Sequence, residues 1–340
     1  MKYDYLSFFM GKWNVMMIRF YLFVCFVVSF QILFWMMSAP SWTFPLSTLL
    51  FFLLFSIQFF QLRKSHYYKN QSRTKLYDPA LDLDTAKRVQ EALLAIDPPE
   101  TDKVKIVKRC VPATTLGGDF YTFVNKTYNK LSKVSTIPGV VELVDDHENE
   151  IGVTIGDVAG HGVSSALVMA LASGLLGRIG FNNKSPAVIM QRSNIDIQKF
   201  IATSHISHVT AFYGNINLDN LTLTYSNAGH PSGIIIHKDS SYEMLSTDGI
   251  FLGMYPDEVY TEKVYQLASG DRILLYTDGI IETINSNREA FGVNRLIDNA
   301  LMNQDRDIDY VLELVFEQLY KFREGHEQKD DQTLIVIEVK

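Results

Sequence analysis

The chain has 340 residues, 31 Lys and Arg against 38 Asp and Glu, and a mean hydropathy of +0.03, too apolar on average for one ordinary soluble domain. The excess is local, because the 43 residues Phe20–Leu62 contain no Asp, Glu, Lys or Arg, and Met1–Lys75 as a whole carries eight bases against the single acid Asp4. Leu76–Lys340 is left with 23 bases and 37 acids, a net charge near −14, which argues against nucleic acid as its partner. Two cysteines, Cys25 and Cys110, exclude a disulfide framework or a zinc site. Leu116 stands where a cysteine phosphatase loop needs its Arg, so Cys110 reads as a small core residue.

Pro40 and Pro45 divide the apolar block into Phe20–Met37 and Leu46–Leu62, each long enough for a helix to cross a bilayer core of about 30 Å. Lys2, Lys12 and Arg19 precede the first run, and Arg63, Lys64, Lys69, Arg73 and Lys75 follow the second. Basic flanks at both outer ends predict two transmembrane helices with both ends in the cytoplasm. Residues 1–75 are thus expected to form a membrane hairpin in the inner, cytoplasmic membrane.

Residues 76–102 predict a linker helix, with Asp78 as N-cap, Pro79 at the first helical position and Pro98-Pro99 as the stop. Leu83, Ala86, Val89, Leu93 and Ile96 recur at three- and four-residue spacing, an apolar stripe that can pack on its own domain or on a second copy. Residues 103–340 then read as a single domain. Its strand candidates are Val104–Cys110, Ile151–Ile155, Val209–Asn217, Leu221–Ser226, Gly233–His237, Arg272–Tyr276 and Thr333–Val339. Helices are expected at Val163–Ile179, Pro186–Ala202, Asn294–Met302 and Asp309–Phe322, and a long polar loop at Asn125–Glu150. Two helices set among hairpins predict an α+β sandwich rather than a parallel sheet.

Four acidic sites stand beside glycines or paired acids at strand ends: Gly117-Gly118-Asp119, Gly156-Asp157, Asp278-Gly279 and Asp330-Asp331. Any one of them is an ordinary turn. Asp248-Gly249, with no long buried strand to present it, serves as the internal comparison. Together, several carboxylates with no histidine or cysteine cluster make an oxygen-rich site suited to Mg²⁺ or Mn²⁺, ions that handle phosphate well. Two competing patterns fail: Asp82-Leu83-Asp84-Thr85 follows no strand and reads as a first helical turn, and Tyr310 stands where a calcium loop beginning at Asp305 requires Gly.

The run Pro112-Ala113-Thr114-Thr115-Leu116-Gly117-Gly118-Asp119-Phe120-Tyr121 is followed in order by Gly156-Asp157-Val158-Ala159-Gly160-His161-Gly162 and Asn227-Ala228-Gly229-His230-Pro231. Leu275-Tyr276-Thr277-Asp278-Gly279 and Asp330-Asp331-Gln332-Thr333 complete the series. In order and spacing it resembles the SpoIIE/RsbU family of PPM (PP2C-type) serine/threonine phosphatases. Ala86-Lys87-Arg88-Val89-Gln90-Glu91-Ala92-Leu93-Leu94 resembles that family's regulatory linker.

The resemblance implies a PP2C-like αββα sandwich with two Mn²⁺ or Mg²⁺ ions at one end. Asp157 would bridge them with help from the Val158 carbonyl, Asp278 and Asp330 would hold one ion, and Asp119 would support the other. The first acid of the last pair aligns with the family ligand, which favours Asp330 over Asp331. His161 is the candidate proton donor to the leaving oxygen, although a histidine between glycines also serves simply to shape a turn; His230 is expected to order its hairpin. Thr122, in place of a frequent acid, and the long 125–150 loop depart from the family pattern. The implied function is a membrane-anchored protein phosphatase acting on a phosphorylated regulatory protein such as an anti-sigma-factor antagonist, with a possible homodimer through the linker. A catalytically inactive membrane adaptor on the same fold is the alternative.

Overall fold

The computed structural model describes residues 79–126, 149–183, 185–202 and 206–340, with isolated helical positions at 29, 30, 33, 60, 61 and 64. The chain divides into two units, Met1–Pro79 and Ala80–Lys340. Apart from those isolated positions, the expected membrane spans lie outside the described residues, as do Asp78 and most of the 125–150 loop.

The long described stretch begins with α1, Pro79–Leu94, which starts at the proline whose fixed φ suits a first turn. Five antiparallel strands form one sheet in the order β1-β10-β9-β6-β7: β1 Val104–Val111, β6 Gly233–Ile236, β7 Tyr242–Leu245, β9 Arg272–Tyr276 and β10 Gln332–Val339. A second antiparallel sheet runs β2-β3-β4-β5-β8: β2 Phe120–Asn125, β3 Glu150–Val158, β4 Val209–Asn217, β5 Thr222–Ala228 and β8 Lys263–Gln266. The helices that follow α1 are α2 Val163–Phe181, α3 Pro186–Ile201, the single turn α4 Asp278–Ile281, α5 Gly292–Met302 and α6 Ile308–Phe322.

Side-chain alternation explains the layering. On β10, Ile335, Ile337 and Val339 meet Ile151, Ile155, Phe212 and Ile216 in a core between the sheets. Their neighbours Leu334 and Val336 face the other way, against Leu296, Ile297, Val315 and Leu319 of α5 and α6. The second sheet does the same with Val209, Ala211 and Tyr213, which pack on Met169, Ala172, Leu176, Ile189 and Ile197 of α2 and α3. The result is a helix–sheet–sheet–helix sandwich, the expected α+β layering.

Among the described residues α2 is long and apolar enough to cross a membrane by length and composition. Its packing explains that character otherwise, because it lies on the second sheet with Met169, Ala172 and Leu176 fully buried. Ser185 caps α3 by accepting a bond from the Val188 amide, and Asp307 caps α6 from the Asp309 amide. The strand β2 and the short edge strands β7 and β8 are additional to the expected set; β7 and β8 are mostly exposed and lack an apolar run.

Candidate active site

Four strand ends meet at one end of the sandwich. Asp119 precedes β2, Asp157 lies near the end of β3, Asp278 follows β9 and opens α4, and Asp330-Asp331 precedes β10. Backbone bonds tie these ends together: the Val158 amide donates to the Gly118 carbonyl (3.3 Å), and the Thr277 amide donates to the Thr333 carbonyl (3.1 Å). The spacing of the strand ends excludes side chains at several of its glycines. A Cβ on Gly118 would come within 2.7 Å of the Val158 oxygen, and one on Gly279 within 1.9 Å of the Asp331 oxygen. Gly118 and Gly279 of the sequence pattern are therefore close-approach positions.

The acids divide into two kinds. Asp331 is buried and spent on the backbone, with Oδ1 accepting from the Ala113 amide (2.7 Å) and Oδ2 from the Gly118 amide (2.6 Å). It holds the Ala113–Asp119 turn in place. Asp119 is also buried, and its Oδ2 accepts from the hydroxyls of Thr277 (2.8 Å) and Thr333 (2.7 Å). That clasp joins the two sheets, since Asp119 leads into one while the threonines belong to the other. Thr277 and Thr333 lie inside the recognised motifs but were not singled out in the sequence; only their position beside the acids could have marked them.

Asp157, Asp278 and Asp330 remain. Burial, then the negative charges of Asp278, Asp330 and Asp331, push the Asp157 carboxyl from 3.8 up to about 7. Burial, then Glu282, raises Asp278, while the amides at the start of α4 oppose the rise; partial burial of its carboxyl likewise raises Asp330, although the residue as a whole is exposed. Burial and the neighbouring Asp157 also push Asp119 well above its ordinary value. None of these acids has a lysine or arginine partner among the described residues. Asp330 is exposed, and His161 on the exposed loop after β3 lies near enough to favour its charged form. Asp248 stands elsewhere, on an exposed turn where its carbonyl accepts from the Thr261 hydroxyl.

Behind Asp157 lies a polar relay not anticipated from the sequence. The Asp157 amide donates to the Thr210 hydroxyl (3.2 Å), which in turn meets Nδ1 of the buried His230 (2.9 Å). Asn227 brackets His230 through its amide and carbonyl, at 2.7 and 2.8 Å. Burial pushes the imidazole down to about 3, so His230 is neutral and acts as a fixed hydrogen-bonding block.

Carboxylate oxygens crowded without a cation suit a hard divalent ion in kind and charge. Among the described residues, however, no three His, Cys, Asp or Glu side chains are gathered closely enough to hold an ion as placed. The acids converge without closing into a cage.

Comparison with known proteins bears on the family and the fold. The model of the family Stage II sporulation protein E (SpoIIE) matches residues 147–340, more than half of the chain. The phosphoserine phosphatase RsbU of Bacillus subtilis is 27% identical over 259 residues, covering 75% of this chain and 69% of RsbU. The SiaA-PP2C domain of Pseudomonas aeruginosa superposes with a TM-score of 0.59 at 20% identity, over 79% of this chain and 99% of that domain. The RsbU and RsbW domains of Rv1364c from Mycobacterium tuberculosis give a TM-score of 0.57 at 22% identity, over 72% of this chain and 62% of that one. With the family model matching across β3 to β10 and the same sandwich recurring in the solved structures, the chain belongs to the SpoIIE family and carries a PP2C-type phosphatase domain.

Proposed function

We propose that this protein is a membrane-anchored, metal-dependent phosphatase that removes phosphate from seryl or threonyl residues of a regulatory protein. One observation carries the reading: Asp157, Asp278 and Asp330 reach the same end of two sheets with raised proton affinity and no cationic partner among the described residues. In this reading Asp157, the Val158 carbonyl, Asp278 and Asp330 would hold Mn²⁺ or Mg²⁺, with Asp119 in support. The backbone duties of Asp331 favour Asp330 as the ligand.

Bound there, a pair of hard cations would supply an activated water and neutralise phosphoryl charge. The chain's own part is placement. Asp119 and the two threonines fix the spacing of the strand ends, Thr210 and His230 hold the β3 end, and His161 stands by Asp330 as the candidate proton donor to the leaving oxygen.

An anti-sigma-factor antagonist is the proposed substrate class, supported by the RsbU relative and by the joined RsbW domain in Rv1364c. Residues 1–75 are proposed as the two-span anchor in the cytoplasmic membrane, residues 76–102 as the linker and residues 103–340 as the phosphatase domain facing the cytoplasm. Val89 and Leu93 of the linker stripe are 58% and 37% exposed in the single chain, which supports a homodimer through this helix. The full chain in detergent should hydrolyse seryl phosphopeptides with Mn²⁺ and not with EDTA; no turnover under either condition would favour the inactive adaptor. A reporter fused after Lys75 should read as cytoplasmic, and an exported reading would reject the anchor.

A further inference from the structure

The helix α1 presents an inverted pattern of burial. Leu81, Leu83, Val89 and Leu93 are exposed by 36% or more, while the polar Gln90 between them is only 7% exposed. Its amide makes two hydrogen bonds to one residue of the acid-bearing turn: Nε2 donates to the Gly117 carbonyl (2.8 Å), and the Gly117 amide donates to Oε1 (3.0 Å). A side-chain amide can satisfy a backbone donor and acceptor together through its two separate polar atoms. Gly117 is itself buried, so nothing else replaces these bonds if they are lost.

The next peptide along is held from the other side, because the Gly118 amide donates to Asp331. The Gly118 carbonyl then receives the Val158 amide, one residue from Asp157. The turn that delivers Asp119 is therefore gripped between α1 and the start of β10. A second anchor fixes the end of the helix, where the Leu94 carbonyl accepts from Lys108 (3.2 Å) and from the Tyr121 hydroxyl.

We propose that Gln90 is a positioning residue for the metal-binding end of the domain, setting the Gly117–Asp119 backbone and through it the spacing of the acids. The linker helix is then a structural wall of the active site and not only a tether. A shift of α1 by one residue, about 1.5 Å along its axis, breaks both bonds. This inference rests on the proposed metal site, and its test separates the two.

Full chain in detergent is compared as parent, Gln90→Met and Gln90→Glu, with Lys108→Met as the control that loosens only the far anchor. Titration calorimetry with Mn²⁺ alone reads affinity, and hydrogen exchange reads the amides of Gly117–Asp119 against those of β10. Gln90→Met should weaken Mn²⁺ binding about 10-fold or more, as loss of an outer support does. It should speed exchange at Gly117–Asp119 while leaving β10 protected, and lower turnover more than it alters the phosphopeptide KM. Gln90→Glu keeps an acceptor for the Gly117 amide but loses the donor, so its Mn²⁺ affinity should fall between those of parent and Gln90→Met. Lys108→Met should bind Mn²⁺ like the parent. A folded Gln90→Met with parental Mn²⁺ affinity and exchange overturns the proposal, as does a loss of thermal stability alone. If Gln90→Met does not fold, parental Mn²⁺ affinity in Gln90→Glu overturns it equally. If the parent binds no Mn²⁺, the reading of the site falls, while the exchange comparison still decides whether Gln90 sets the turn.

Discussion

The adjacent strands β9 and β10 carry acids at both ends, and the two ends treat them in opposite ways. At one end Arg272 pairs with Glu338 through Nε (2.9 Å) and Nη2 (2.6 Å) and also caps the carbonyls of Asn303 and Arg306 between α5 and α6. Beside it Asp271 accepts from the Ala268 amide and meets His237, which is itself bonded to Tyr265. At the other end, within the reach of a five-residue strand, Asp278 and Asp330 have no such partners among the described residues and sit near Asp157. Both ends carry acids on the same antiparallel pair. The difference shows that pairing is available to this fold and is absent among the described residues where the acids converge, the electrostatic pattern expected of the proposed metal site.

The largest expected effect breaks the unpaired end. Asp157→Asn or Asp278→Asn should lower Mn²⁺-dependent phosphopeptide turnover by roughly 10³-fold or more, because each would remove the charge of a proposed ligand while keeping its shape. Asp248→Asn, on its exposed turn, should retain parental turnover. Similar activity in all three variants would dissolve the distinction between converging acids and ordinary turn acids.

The paired end predicts the converse, a loss of stability with the site chemistry kept. Arg272→Met leaves Glu338 and two carbonyls without their donor, and breaking such a largely buried pair costs about 2 to 3 kcal/mol, toward the low side because Glu338 is partly exposed. Chemical denaturation should show the loss, while Mn²⁺ affinity stays parental. An unchanged unfolding midpoint would mean that the Arg272 network contributes nothing net.

Much of this contrast could be read in the sequence, and the unread part has a physical cause. Val209–Asn217 and Arg272–Tyr276 form strands over the expected residues because their apolar and aromatic residues are buried on both faces. The edge strand Lys263–Gln266 carries no such run, since backbone pairing with β5 holds it and its side chains face solvent. The acids at the site were legible as positions, but not their division of labour. Whether an Asp spends its oxygens on amides, as Asp331 does, or keeps them free depends on a turn 218 residues away at Ala113. Gln90 was hidden for a similar reason: on an amphipathic helix a glutamine reads as solvent-facing, and only the partner backbone shows otherwise. The apolar stripe of that helix, expected to pack on its own domain or on a second copy, is the face left exposed in the single chain.

The smallest effect concerns pH and sharpens the comparison without touching activity. The Asp157 carboxyl has its folded-state value raised to about 7 from an ordinary 3.8, chiefly by burial and then by Asp278 and Asp330. Below the ordinary value both folded and unfolded chains hold the proton, and the group is neutral toward stability. Between that value and about 7 the unfolded chain has released the proton while the folded chain retains it, so the folded state binds more protons and its stability falls as pH rises. Above about 7 the cost is complete, because the folded chain must then carry the buried charge. In EDTA the parent should therefore lose a few degrees in Tm relative to Asp157→Asn between pH 5 and 7.5, the amide having no charge to bury. Asp157→Asn should be the more stable of the two at pH 7.5, and Mn²⁺ should raise the Tm of the parent and not of the variant. The Arg272→Met deficit should stay level across the same range. Thermal unfolding of the three chains at several pH values in EDTA checks all of this. A Tm gap between the parent and Asp157→Asn that does not change with pH would show that Asp157 carries no buried-charge cost, and the contrast between the two ends of β9 and β10 would then be one of geometry alone.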